Sequence, residues 1–167
     1  KANFETIWLT NQNLLGAWDN LVSIIASSAN QTISINNSIG KTTTTQNYDA
    51  DLIKYLEKFL ETKTSKNRAI FIHLMGSHLA YCQRFPEEYR VFNEELDEKN
   101  FGTKIASKKD IKNFINCYDN SVLYNDYVVS SLIETVKKQT GVNVLLYMPD
   151  HAEEVLKGFA HDPGKFT

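Results

Sequence analysis

Ala69-Ile70-Phe71-Ile72-His73-Leu74-Met75-Gly76-Ser77-His78 is an apolar run that releases into small residues and a histidine. The part from Ala69 to Leu74 is short and nearly continuous in apolar character, the pattern of a parallel strand covered on both faces. Gly76 and Ser77 then allow a backbone to approach a ligand closely. A second run of the same design, Val142 to Met148, opens into Pro149-Asp150-His151. Strands of open α/β sheets end at a ligand crevice on their carboxyl side. Both runs are therefore expected to carry polar residues to one edge of a sheet.

The pattern continues outward from these two runs. Phe4 to Thr10 reads as a strand through Ile7, Trp8 and Leu9, and Thr32-Ile33-Ser34-Ile35 as another. Between them Ala17 to Ala29 places Trp18, Leu21, Val22, Ile24 and Ile25 at helical spacing. The threonines at 42–45 sit in a polar stretch that reads as an exposed loop. Leu52, Ile53, Leu56, Phe59 and Leu60 form one apolar stripe opposite Lys54, Glu57, Lys58 and Glu61, with Asp49 as the expected N-cap. A long helix is expected from Ser107, built on residues such as Phe114, Tyr118, Val122, Val129 and Leu132 and closed at Gly141. Strand–helix alternation of this kind predicts an α/β fold with a mostly parallel sheet and helices on both faces.

Composition narrows the function. The chain has 167 residues, 42% of them hydrophobic, which suits one domain with a real core. A formal net charge of −2 offers no general basic surface for nucleic acid. No apolar run reaches the roughly 18–20 residues that span a bilayer. Cys82 and Cys117 are too far apart in sequence for a metal knuckle; two separate small thiols is the default reading and a single bridge the alternative.

Asp150 and His151 pair an oxygen donor with a nitrogen donor, a set suited to zinc or a similar divalent ion. The competing reading makes Asp150 the cap of a helix over 152–157 and His151 a polar neighbour. His161, in a Gly/Pro-flanked loop, could return to the same crevice. His78 follows a strand and small residues, where a functional role fits, whereas His73 reads as a hydrogen-bonded structural histidine. Glu153 and Glu154 suit the first turn of a helix without any catalytic duty. Tyr81, Arg84, Tyr89 and Arg90 could meet an anionic or lipid substrate, with a solvated face as the default. No serine-hydrolase elbow, Walker loop or dinucleotide fingerprint is present.

Laid in order, these segments resemble the catalytic domain of the phosphoethanolamine transferases, sulfatase-like members of the alkaline phosphatase superfamily. The parts that carry the resemblance are Ile7-Trp8-Leu9-Thr10-Asn11-Gln12, His73-Leu74-Met75-Gly76-Ser77-His78 with Arg84-Phe85-Pro86, Tyr118-Asp119-Asn120 and its continuation to Tyr127, and Asp150-His151-Ala152-Glu153. The resemblance extends over nearly all of the chain. It implies a three-layer alkaline-phosphatase-like fold, of which residues 1–167 form a partial sulfatase-like catalytic domain, a fragment.

It also implies a zinc-dependent transfer of phosphoethanolamine, in two steps through a threonine, from a phosphatidylethanolamine-type donor to lipid A or another envelope glycan. Asp150 and His151 would be metal ligands, His78 and His161 would contact the phosphoryl group or a second zinc, and Glu153 would have a supporting role. The implied location is the periplasmic face of the bacterial inner membrane, with membrane contact through parts absent from this chain. Two departures stand out: Ala152 replaces the family's glycine, and no segment matches the nucleophilic threonine or the remaining acidic ligand. This chain alone is therefore expected to be inactive. Alternatives are a sulfatase, phosphodiesterase or phosphoglycerol transferase of the same superfamily, or a non-catalytic domain that kept the fold.

Overall fold

A computed structural model describes residues 3–12, 20–36, 47–93, 108–151 and 155. Three parallel strands form one sheet in the order β2-β1-β3, with β1 at Phe4–Thr10, β2 at Gln31–Ser34 and β3 at Asn67–His73. The helices are α1 (Asn20–Ser27), α2 (Ile53–Glu61, preceded by a 3-10 turn at Asp49–Leu52) and α3 (Lys108–Lys137). Because the chain leaves β1 toward one neighbour and returns past it to the other, right-handed crossovers put α1 and α2 on opposite faces.

Register decides which side chains enter the core. Ile7 pairs with Ile70 and Leu9 with Ile72, on the face where Ile7 and Leu9 are fully buried among Leu52, Leu56 and Phe59. Trp8 pairs with Phe71 on the opposite face, their rings stacked 5.6 Å apart, and Phe71 remains half exposed. Thr32, beside Trp8 in β2, donates to the carbonyl of Ala26 and so ties α1 to that second face. The helix covers only part of it.

Several expectations shift. α1 ends at Ser27 where Ala29 was expected, the part of the span before Asn20 lies outside the described residues, and Leu21, Ile24 and Ile25 are exposed while Ala26 is buried. α3 turns inward the face of Cys117, Asn120, Ser121, Tyr124, Val128 and Leu132, whereas Val122 is exposed. Asn120 explains how a polar residue can sit there. Its oxygen accepts the N–H groups of Val91 and Phe92, both at 2.8 Å, and its amide donates to the Phe92 carbonyl at 2.9 Å. That buried amide is satisfied by backbone, so its burial is not penalised.

Cys82 and Cys117 form a disulfide, which overturns the reading of two separate thiols. The bridge fastens the 3-10 turn Tyr81–Gln83 to α3. α3 stops at Lys137, and Gly141 adopts φ +91° in the turn beyond it, a conformation that favours glycine. The strand expected over Val142–Met148 is absent. Val142, Val144, Leu146 and Met148 are 73–98% exposed, and no described strand lies alongside to complete a ladder. Period and composition can specify an extended segment, but a strand also needs a partner's hydrogen bonds. The loop at 42–45 and the helix at 152–157 lie outside the described residues, apart from residue 155.

Candidate functional site

The carboxyl ends of β1 and β3 meet at the point where strand order reverses, the usual place for a crevice in a doubly wound sheet. The Asn11 N–H donates to the His73 carbonyl at 3.1 Å and the Ile35 N–H to the Thr10 carbonyl at 3.0 Å, so all three strand ends are held together. Gln12 adds a side-chain bond to the Leu74 carbonyl at 3.0 Å. Above these ends lies a polar cavity of about 200 Å³, in which Asn11, Asn36, Asn47, Gln83 and Arg84 surround Asp49.

Asp49 is 4% exposed and is not an N-cap. The carboxylate that serves the helix start is Asp51, which accepts the Tyr48 N–H at 2.9 Å. Asp49 instead reaches across to the strand ends. It accepts the Asn11 amide at 2.8 Å, the Met75 N–H at 2.9 Å and the Gly76 N–H at 2.8 Å. Burial pushes its carboxyl above the usual range. The two backbone donors, the Asn11 amide and the charge of Arg84 pull the other way without cancelling it.

The turn after β3 carries His78. Gly76 has φ +54°, where a side chain would be strained. The His78 N–H closes the turn on the Met75 carbonyl at 3.3 Å, and His78 itself is exposed at the crevice rim. Arg84 donates to the carbonyls of His78 and Leu79 at 3.1 and 3.0 Å, so it builds the loop. It is not part of a solvated face. Tyr81 is likewise buried against Phe114 and Tyr118, Tyr89 packs on Tyr124, and Arg90 pairs with Glu87.

His73, expected to be structural, lies with its Nδ1 3.4 Å from the Thr10 hydroxyl. The segment that ends in Asp150-His151 touches the same neighbourhood through Tyr147, whose hydroxyl accepts the Asn125 amide at 2.8 Å. The Asn125 oxygen lies 3.8 Å from where a Cβ on Gly76 would stand. Asp150 is largely exposed and His151 mostly sheltered, with the Asp150 oxygen 3.8 Å from Nε2 of His151. Their donor chemistry fits a zinc-type ion. Among the described residues no three His, Cys, Asp or Glu groups converge as a complete ligand set. Glu153 and His161 lie outside the described residues.

Asn11 and Asp49 are the residues that sequence reasoning passed over. Asn11 sits directly after a strand, a position that signals a crevice. Asp49 carries no such mark, because an acidic residue ahead of a helix is ordinarily its cap.

A parallel, doubly wound sheet with a polar crevice at its switch point defines an α/β domain of the open-sheet class. The chain belongs to the sulfatase family, whose model matches residues 1–167. It is 30% identical over 93% of its length to phosphoethanolamine transferase EptC of Escherichia coli K12, of which it covers 26%. To the Kdo(2)-lipid A phosphoethanolamine 7''-transferase of the same organism it is 30% identical over 64% of its length, covering 18%. Among solved structures, the C-terminal periplasmic domain of E. coli EptC in complex with Zn superposes with a TM-score of 0.64 at 28% identity, covering 79% of this chain and 35% of that one. The chain thus spans about a quarter of the length of the first of these relatives. No helix among the described residues is long and apolar enough to cross a membrane.

Proposed function

We propose that the protein carrying this chain is a zinc-dependent phosphoethanolamine transferase that moves the group from a phosphatidylethanolamine-type donor to lipid A or another envelope glycan. The observation that carries this reading is the likeness to EptC over 93% of the chain, together with a crevice in which the His78 turn lies at the sheet's switch point. The Zn complex and periplasmic placement of the related domain support zinc and a periplasmic site of action, and the outer face of the inner membrane is the location we assign to it. Residues 1–167 are read as part of the catalytic domain.

In this reading Asp150 and His151 hold the metal, with Glu153 in support. A bound zinc lowers the pKa of a hydroxyl and offsets charge on phosphoryl oxygens. The chain's own residues hold the reacting group in place. His78 and His161 meet the phosphoryl oxygens, His78 from a turn fixed by Gly76 and Arg84. The Asn11 amide lies at the crevice floor.

The test uses the full-length protein with phosphatidylethanolamine vesicles and purified lipid A, following the mass of the lipid A. A mass increase of one phosphoethanolamine that disappears in His151→Ala supports the reading. Release of sulfate or of a different phospho group would assign another branch of the superfamily, and no turnover or zinc binding by the intact protein would indicate a non-catalytic domain. The 167-residue chain on its own is expected to show no turnover.

A further inference from the structure

We propose that Asp49 is a positioning residue that acts through His78, fixing the turn that presents this histidine to the phosphoryl group. This inference rests on the transferase reading above. The carboxylate of Asp49 contributes nothing to the start of its own helix, which Asp51 serves. It takes the successive N–H groups of Met75 and Gly76, which converge on it as a small anion-binding concavity.

The carboxylate is itself held in orientation. Asn47 donates to the Asn36 oxygen at 3.3 Å, Asn36 to the Asn11 oxygen at 2.5 Å, and Asn11 to Asp49 at 2.8 Å. This file of amides begins beside β2, where Asn47 also donates to the Ile35 carbonyl at 2.6 Å, passes the end of β1 and stops at the turn after β3. The oxygens of Asn36 and Asn11 are each fixed by the donor behind them, so their own N–H groups point forward. On the far side of the turn, Arg84 holds the His78 carbonyl. Backbone from Met75 to His78 is thereby gripped at its N–H groups by a carboxylate and at its carbonyl by a guanidinium.

Asp49→Asn keeps the shape but sets an NH2 against backbone N–H donors. A displacement of the order of an ångström in a group that meets the reacting centre can cost about a hundredfold in rate.

The experiment measures transfer from phosphatidylethanolamine vesicles to lipid A by the full-length protein in four forms: wild type, Asp49→Asn, His78→Ala and the double variant. Asp49→Asn is expected to lower kcat about ten- to a hundredfold with little change in KM for the donor. In the His78→Ala background the same substitution is expected to change kcat less than about twofold, because coupled residues are not additive. An equal loss in both backgrounds, or an unchanged kcat in Asp49→Asn, would overturn the assignment. Should Asp49→Asn fail to fold, Asn36→Ala removes one link of the file, with a smaller loss of about three- to tenfold expected and again only where His78 is present. Wild-type turnover by His78→Ala would instead sink the functional role of His78, and with it any action of Asp49 through that residue.

Discussion

Asp49 shows how one side chain can be misread when only its neighbours in sequence are visible. Burial raises its pKa above the unfolded value near 3.8 even though three donors and Arg84 favour the charged form. A raised folded-state value means that the native state binds the proton more tightly. Its contribution to stability is therefore full below pH 3.8 and lost as pH rises through the raised value. The stability of the wild type minus that of Asp49→Asn should fall with rising pH in that window and then level off. Denaturant titrations at closely spaced pH values would read this, and a difference that rises there would contradict it. Asn120 offers a second residue-scale case. Replacing it by leucine deprives the N–H groups of Val91 and Phe92, both exposed residues, of their acceptor, at about 0.5–1.5 kcal/mol for each lost bond. Chemical denaturation of Asn120→Leu should show a loss of about 1–3 kcal/mol, and a neutral result would mean that water or another acceptor replaces the amide.

At the scale of elements, the Cys82–Cys117 bridge joins a short 3-10 turn to a long helix and closes 35 residues of chain. Loop-closure entropy for that length gives about 4 kcal/mol of stabilisation. Reduction should lower the melting point by the equivalent amount and loosen the loop that holds Arg84 and His78, visible as faster amide exchange over 76–84. Unchanged exchange there would separate the bridge from the crevice. The three strands of the sheet and α2 were legible in the sequence within a few residues, because β-branched runs and a clear apolar stripe each satisfy their own local pattern. The inward face of α3 was not. Tyr124 and Asn120 face the core because they meet backbone and ring partners supplied by distant segments, while Ser121 satisfies its hydroxyl on the Tyr118 carbonyl one turn back, and apolar periodicity does not record such partners.

For the whole molecule, the exposed run Val142–Met148 is the largest mismatch between pattern and environment. Val142, Val144, Leu146 and Met148 point outward at alternate positions, with Leu145 and Tyr147 less exposed between them. An apolar ribbon of this kind binds other apolar surfaces. The isolated chain should therefore bind an apolar fluorescent dye, and Val144→Lys with Leu146→Lys should reduce that binding. Those changes should move stability by no more than about 0.5 kcal/mol, since the side chains touch little. A large loss of stability would show that the run is packed.

The sequence by itself determined the α/β class, the parallel strands and the apolar runs that end in His78 and in Asp150-His151. These follow from local propensity and period, which each segment carries within itself. Tertiary structure alone decided that Asp49 and Asn11 meet at the floor of the crevice, that the two cysteines join and that Val142–Met148 pairs with none of the described strands. Each of these depends on which distant atom lies within about 3 to 5 Å of a group, a fact set by register and crossover and by no stretch of sequence read alone.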